Sequence, residues 1–231
     1  MATHLETELK ILRANIIELW ELVILQTRKA KEAVLNFDKD LATEVKINEK
    51  RVNALELNID KECEDILALH NPVAVDLRFV LAVLKINYNL ERIGDYAKGI
   101  AGQLISLEEP LNKELVTKAR LEEMFANCIE MLSETMESLE NENNRLARTI
   151  FKKDEMLDEI NYGADAMIIE HVKAKPKDFE QSLRVLKIIL KLERVGDQTK
   201  NMAEEIIFYI EAKVLRHNMK KLKTGKEPST G

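Results

Sequence analysis

The chain is poor in the two residues that build tight turns, with only 7 glycines and 4 prolines among 231 residues. Sheet proteins with many hairpins need more of both. Hydrophobic residues make up 45% of the chain and charged residues 33%, which is not the composition of a disordered segment. The composition therefore favours a folded protein built from long helices.

Cysteines and long apolar runs are also scarce, and this excludes several classes of protein. Cys63 and Cys128 are the only two cysteines, so we expect buried free thiols rather than a disulfide framework or a zinc site. No run approaches the roughly 18 apolar residues of a membrane span, and residues 1–10 lack the apolar core of a secretion signal. We therefore expect a cytoplasmic protein.

The chain has no excess of positive charge. Its formal net charge is −6, whereas a general nucleic-acid binder needs a basic face that displaces counterions from phosphates. We therefore expect no nucleic-acid partner. The basic stretch at 216–231 is typical of an unstructured terminal tail. The sequence also contains no nucleotide-binding glycine loop and no Ser-His-Asp elbow pattern.

Apolar residues recur at alternating steps of three and four, which is the pattern of amphipathic helices. The stripes continue far beyond the average helix length of ~11 residues, so the helices must bury them on one another. Breaks such as Asn71-Pro72 and Glu109-Pro110 divide the pattern. The sequence predicts six long helices, at 4–37, 40–70, 73–108, 112–141, 145–173 and 178–215.

The two halves of the chain repeat each other. Residues 84–101 and 186–203 are identical at ten of eighteen positions, at an offset of 102, which exceeds chance agreement. The chain is therefore predicted to be all-α, a tandem duplication of a three-helix bundle. Its predicted parts are a first repeat at 1–109, a second repeat at 110–215 and the basic tail at 216–231.

Each repeat carries two short rows of oxygen-bearing side chains. The members of a row stand four residues apart, which places them on one face of a helix, one turn apart. The rows are Glu49 with Asn53 and Glu91 with Asp95 in the first repeat, and Asp154 with Asp158 and Glu193 with Asp197 in the second. Because the helices that carry them should be neighbours, the acidic rows should converge.

Converging carboxylates repel each other, and the spacing leaves two explanations open for what offsets the repulsion. A divalent or trivalent cation would bind them, because hard cations prefer carboxylate oxygen. Alternatively, they are surface residues that pair with basic neighbours, namely Arg92, Lys98, Arg194 and Lys200. Glycine at two equivalent helix-interior positions, Gly94 and Gly196, leaves room for a partner helix or a metal centre.

Two segments of the chain resemble the PhoU family of phosphate-signalling regulators. The first comprises residues 72–78, 84–86 and 90–97, and the second comprises residues 192–197 with Asn201, Ala203 and Glu204. Both contain Glu-Arg-x-Gly-Asp after a leucine-lysine pair. The resemblance covers residues 5 to about 215 and matches the helix count and the duplication.

This resemblance implies a function that the residue spacing alone does not indicate. PhoU proteins are cytoplasmic and commonly dimeric; they connect a phosphate ABC transporter with a membrane sensor kinase and restrain the phosphate-starvation response. By resemblance, the chain would be a homodimeric negative regulator without enzymatic activity that reaches the membrane only through protein partners. The alternatives are a metal-dependent hydrolase of phosphate compounds and a helical adaptor without metal.

The resemblance also implies metal ions on the acidic rows. Carried over by position, the ligands would be Asp154, Asp158, Glu193 and Asp197 in the second repeat, and Glu49, Glu91 and Asp95 in the first. Asn53 replaces an expected aspartate, and Gly99 stands where the second copy has Asn201, so the first site should be weaker or empty. Iron, zinc, manganese and magnesium all suit carboxylate ligands.

Overall fold

The structure is a computed structural model that describes residues 4–212. Within that range it contains seven α-helices, one 3-10 turn and no β-strand, which confirms the predicted all-α fold. The helices are α1 (His4–Asn36), α2 (Lys39–His70), α3 (Ala74–Ile105), α4 (Lys113–Lys118), α5 (Leu121–Glu140), α6 (Asn144–Ala174) and α7 (Phe179–Glu211), with the 3-10 turn at Pro176–Asp178. The predicted tail at 216–231 lies outside the described residues.

Polar residues set the ends of several helices. Asp38 precedes α2, and its carboxylate accepts a hydrogen bond from the backbone N–H of Leu41 (2.8 Å), as an N-cap does. Asn143 caps α6 through its side-chain oxygen in the same way. α2 ends at His70, and the next residue, Asn71, is left-handed (φ 45°), a conformation that asparagine tolerates better than most residues. The polar breaks in the sequence are therefore caps of the helices.

The prediction of one fourth helix at 112–141 is wrong, because the structure divides that segment into α4 and α5. Arg120 interrupts it with a left-handed backbone (φ 50°), which costs about 1–2 kcal/mol for a residue other than glycine. The interruption allows both Leu115 and Leu121 to be fully buried, and this burial outweighs the backbone cost. The last helix is also shorter than predicted, since α7 ends at Glu211.

The helices form two bundles that share one core. α1, α2 and α3 pack together, α5, α6 and α7 pack together, and the bundles meet where α3 contacts α7 and α1 contacts α5. Buried apolar side chains from all seven helices form one continuous hydrophobic cluster. The predicted duplicated bundle is therefore confirmed, and its halves are joined by a common apolar interior. No helix between residues 4 and 212 is long and apolar enough to cross a membrane.

Both cysteines are buried and free, as the sequence predicts. Burial raises the pKa of the Cys63 thiol to about 12 and also raises that of Cys128. The two thiols are therefore protonated parts of the core, and they carry no charge that would attract a metal ion.

Trp20 lies at the junction of the two bundles. Its side chain is fully buried, and its indole N–H donates a hydrogen bond to the backbone carbonyl of Leu132 in α5 (3.1 Å). Arg13 donates to the carbonyl of Leu139, also in α5 (3.2 Å). α1 is therefore bound to the second repeat by directional hydrogen bonds as well as by apolar packing.

Replacing Gln26 with methionine is expected to raise the free energy of unfolding by about 1–2 kcal/mol. Gln26 is buried in α1, and neither its amide nitrogen nor its amide oxygen has a hydrogen-bond partner. An unbonded buried amide lowers stability by about 1–3 kcal/mol, and methionine fills a similar volume without polar hydrogen-bonding demands. Urea unfolding followed by circular dichroism measures the change.

Gln181 provides the matched control, because it is also buried but has both amide atoms bonded. Its oxygen accepts from the backbone N–H of Asn112 (2.6 Å), and its nitrogen donates to Glu109 (3.0 Å). Gln181→Met should therefore lower stability. If Gln26→Met lowered it as well, Gln26 would not be the unsatisfied amide that the structure places in the core.

Candidate functional site

The acidic rows lie where α2 meets α3 and where α6 meets α7, and a glycine in each pair lets the helices approach closely. A Cβ atom at Gly94 would stand 3.0 Å from Cγ1 of Val52. A Cβ atom at Gly196 would stand 2.5 Å from Cδ1 of Leu157 and 2.8 Å from Oδ1 of Asp154. These separations are shorter than normal van der Waals contact. The two equivalent glycines therefore bring the rows of neighbouring helices together.

In the second repeat a lysine joins the two rows. Lys200 of α7 donates hydrogen bonds to Oδ2 of Asp154 on α6 and to Oδ1 of Asp197 on α7 (3.0 Å). Asp154 is only 2% exposed, and its other oxygen, Oδ1, has no hydrogen-bond partner. The buried carboxylate is thus neutralised by an ammonium group of the same chain.

Burial and pairing act in opposite directions on this ion pair. Burial raises the pKa of Asp154, and the hydrogen bond from Lys200 opposes that rise. Burial is the largest influence on Lys200 and disfavours its charged form, but the hydrogen bonds and charges of Asp154 and Asp197 together outweigh it, so the pKa of Lys200 is raised. Lys200 therefore stays protonated at neutral pH.

Glu193 and Asp158 extend the acidic face of the second repeat. Burial and then the nearby charge of Asp197 raise the pKa of Glu193. Arg194 lies 3.5 Å from Oε2 of Glu193 and 3.5 Å from Oδ2 of Asp197. Asp158 is exposed, and its charge reaches both Asp154 and Glu193. The four predicted residues share one face, which runs from the interior to the surface.

The first repeat has the same arrangement with longer contacts. Lys98, the equivalent of Lys200, lies 3.1 Å from Oε2 of Glu49 on α2 and 3.5 Å from Oδ1 of Asp95 on α3. Asn53 donates to Oε1 of Glu49 (2.7 Å), so Glu49 has a partner on each oxygen. The asparagine that replaces the expected aspartate thus acts as a hydrogen-bond donor to its own row.

These side chains do not form a metal-binding group as they are arranged. In the part of the chain that the structure describes, no three Asp, Glu, His or Cys side chains converge closely enough to hold a metal ion. Glu91 has a pKa raised by burial and by Asp95, but it joins no such group. The geometry fits the ion-pair explanation of the rows, and metal binding stays a prediction.

Gly196→Ala is expected to lower the free energy of unfolding by about 1–3 kcal/mol, as overpacking does. The added methyl group would meet Asp154 and Leu157, and Leu157 is fully buried. Gly163→Ala is the matched control, because nothing lies within 4 Å of a Cβ at that position and alanine stabilises a helix interior by about 0.5–1 kcal/mol. Thermal unfolding measures both variants. Stabilisation by both would contradict the close approach at Gly196.

A groove that the sequence pattern does not indicate runs along the seam between the two repeats. α3 and α7 are antiparallel there, since Arg78 donates to the carbonyl of Tyr209 (3.1 Å) and Arg184 donates to Gln103 (3.3 Å). The groove has a volume of about 850 Å³ and is lined by Leu84, Lys85, Tyr88, Asn89, Arg92, Gln198, Asn201 and Glu204. Its walls come from different repeats, so the spacing of residues within one helix cannot predict the groove.

Tyr88 and Arg92 form the exposed part of the groove. Tyr88 is 54% exposed, and its hydroxyl accepts a hydrogen bond from Nη1 of Arg92 (2.5 Å) while the guanidinium lies 5.3 Å from the ring centroid. Lys85 is ion-paired with Glu205 (2.8 Å). Tyrosine and arginine are the residue types enriched where partner proteins bind most strongly. The groove therefore exposes an aromatic ring and a guanidinium, two groups of the kind found in protein interfaces.

A family model described as "PhoU domain" matches the chain twice, at residues 16–104 and 121–206. The first match spans parts of α1, α2 and α3, and the second begins with α5 and ends within α7. Each match thus contains one three-helix unit. The exact limits proposed for the repeats, 1–109 and 110–215, stay predictions.

Relatives are similar over nearly the whole chain. Phosphate-specific transport system accessory protein PhoU homolog 1 of Thermotoga maritima is 27% identical over 225 residues, which cover 97% of this chain and 96% of that protein. Phosphate-specific transport system accessory protein PhoU of Escherichia coli K12 is 29% identical over 224 residues, which cover 95% of this chain and 92% of that protein.

Two crystal structures have the same fold. PhoU from Pseudomonas aeruginosa matches with a TM-score of 0.85 and 28% identity, covering 90% of this chain and 99% of that one. The phosphate transport system regulatory protein PhoU from Streptococcus pneumoniae matches with a TM-score of 0.80 and 27% identity, covering 91% and 99%. The similarity extends over the complete two-bundle architecture.

Proposed function

The chain belongs to the PhoU family, and on this basis we propose that it regulates phosphate uptake as an accessory protein of a phosphate-specific transport system. The observation that carries the proposal is the paired domain match, which places one PhoU domain on each bundle. The names of the relatives, which cover more than nine tenths of this chain, support the same role.

The mechanism we propose is docking rather than catalytic turnover. In this mechanism the protein works in the cytoplasm as a homodimer and couples a phosphate ABC transporter to a membrane sensor kinase. It restrains the phosphate-starvation response when phosphate is plentiful. The open groove between the repeats and the names of the relatives, which describe accessory and regulatory proteins, favour binding to partners over enzymatic activity.

The groove at the seam is the docking surface in this proposal. In the second repeat Arg194 is engaged by Glu193 and Asp197, whereas its equivalent Arg92 bonds the hydroxyl of Tyr88. A tyrosine hydroxyl neutralises no charge, so Arg92 keeps its charge available for a carboxylate. We therefore expect the groove to bind a partner segment that presents an acidic side chain to Arg92.

Deletion of the gene tests the regulatory proposal. In excess phosphate, cells without the protein should transcribe phosphate-starvation genes that the parent strain represses. Reporter expression or transcript abundance measures the difference, and a plasmid copy of the gene should restore repression. Repression that persists without the gene would remove the regulatory role.

Complementation with variants tests the docking surface separately. Tyr88→Ala combined with Arg92→Ala should fail to restore repression, because it removes the ring and the charge from the groove. Tyr162→Ala is the control, since Tyr162 is 94% exposed and lies on α6 away from the groove. Circular dichroism verifies that both variants are folded. Full repression with the double variant would place docking elsewhere and leave the regulatory role intact.

Assays on the purified protein test the alternatives. A metal-dependent hydrolase would release phosphate from phosphate esters when loaded with manganese or magnesium, and we expect no such turnover. Elemental analysis of protein purified without chelator reports whether iron, zinc, manganese or magnesium is bound. Metal in stoichiometric amounts would argue against a metal-free adaptor.

A further inference from the structure

One lysine per repeat stands between the acidic rows, at equivalent positions of the duplicated sequence. Lys98 and Lys200 are separated by the same offset of 102 that relates the two repeats. The residues that follow them differ, since Gly99 corresponds to Asn201. The lysine is therefore a feature that both copies share beside positions that have diverged.

Each ammonium group contacts one carboxylate from each of two helices. Lys98 bridges Glu49 on α2 and Asp95 on α3, at 3.1 and 3.5 Å. Lys200 bridges Asp154 on α6 and Asp197 on α7. A cation that joins the two rows has to occupy this position between the helices. Because an ammonium group carries three N–H donors and a compact charge, it can serve both carboxylates at once.

Asp154, the buried carboxylate of the second repeat, shows what the bridging charge does. Asp154 is buried, its Oδ1 is without a hydrogen-bond partner, and that oxygen faces the backbone at Gly196. A buried carboxylate needs a counter-charge, and the contact with Lys200 supplies it. One oxygen of this carboxylate is thus bound to Lys200, and the other has no hydrogen-bond partner.

We propose that Lys98 and Lys200 are built-in counter-cations that occupy the metal position of the acidic rows, so that a metal ion must displace the lysine in order to bind. The proposal does not depend on the regulatory function. It accounts for the absence of a converging metal-binding group among residues 4–212, because carboxylates oriented towards a lysine are not oriented towards a shared metal.

Titration with Mn²⁺ followed by electron paramagnetic resonance tests the proposal on purified full-length protein. Lys200→Met should bind Mn²⁺ at least tenfold more tightly than the unmodified protein, because the competing charge is gone. Lys187→Met is the control, since Lys187 is an exposed lysine on α7, and it should leave the affinity unchanged. Adding Asp154→Asn to Lys200→Met should abolish the gain.

Three outcomes would overturn the proposal. The first is an affinity for Mn²⁺ that differs by less than twofold between Lys200→Met and the unmodified protein. The second is weaker binding by Lys200→Met, which would make the lysine a support of the metal site. The third is the absence of Mn²⁺ binding in every variant, which would show that the rows have no cation site.

A second measurement keeps the proposal testable if Lys200→Met does not fold. In the unmodified protein, acylation of lysine amines followed by mass spectrometry should label Lys200 at least tenfold more slowly than Lys187. Lys98→Met, in the more exposed first repeat, should also bind Mn²⁺ more tightly than the unmodified protein. Equal labelling rates for Lys200 and Lys187 would contradict the bridging position.

Discussion

Trp20→Ala is expected to lower the free energy of unfolding by about 3–5 kcal/mol, the range for removal of a fully buried tryptophan. The substitution leaves a cavity between α1 and α5, because the indole is fully buried and bonds the Leu132 carbonyl. It acts on both repeats, since the hydrogen bond joins one to the other. Urea unfolding followed by circular dichroism measures the loss as a lower transition midpoint.

Trp20→Phe is the control for the hydrogen bond, because phenylalanine keeps most of the apolar volume but donates no N–H. Trp20→Phe should lower the free energy of unfolding by about 1–2 kcal/mol. Both variants should unfold in a single transition. If the second repeat unfolded separately at an unchanged urea concentration in Trp20→Ala, the common core inferred from the contacts would be incorrect.

Lys200→Met is the second substitution with a large expected effect. Measured in the presence of a chelator, it should lower the free energy of unfolding by about 3–5 kcal/mol, the cost of leaving one member of a buried ion pair without its partner. Asp154 is the residue left behind, and its side chain is almost completely buried. Replacing both residues, with Lys200→Met and Asp154→Leu, should recover most of the loss, because apolar pairs substitute well for buried ion pairs.

Lys98→Met is the comparison within the same molecule. Lys98 and Asp95 are more exposed than their second-repeat counterparts, and Glu49 keeps its hydrogen bond from Asn53. Lys98→Met should therefore lower the free energy of unfolding by less than Lys200→Met does, because the Lys98–Asp95 pair is exposed and Glu49, although buried, keeps one hydrogen bond. A loss from Lys98→Met as large as that from Lys200→Met would contradict the difference in burial between the two repeats.

The helices can be predicted from the sequence because their apolar stripes are long and regular. The break at Arg120 cannot be predicted from the sequence. Ala119, Arg120 and Leu121 all favour helix, and no glycine or proline marks the turn. Burial of Leu115 and Leu121 against other helices decides the conformation there. Helix propensity is a local preference, and packing between distant segments overrides it.

The acidic rows can be predicted from spacing and duplication, and their positions on facing helices follow from the same evidence. The sequence also names Lys98 and Lys200 as possible partners, because each stands three residues after an aspartate. It does not show that each lysine reaches a second carboxylate on the neighbouring helix, Glu49 or Asp154. That contact depends on the close approach at the helix glycines, which is a property of the assembled bundle.

The common apolar interior has a mechanical consequence. Rotating one repeat against the other would expose Trp20 and the leucines around it to water, so the molecule behaves as a stiff body rather than as two hinged lobes. A change in the angle between the repeats is therefore not the way in which we expect the protein to act. In the function that we propose, the information lies in which partner is bound at a given moment, and therefore in the relative amounts and affinities of those partners.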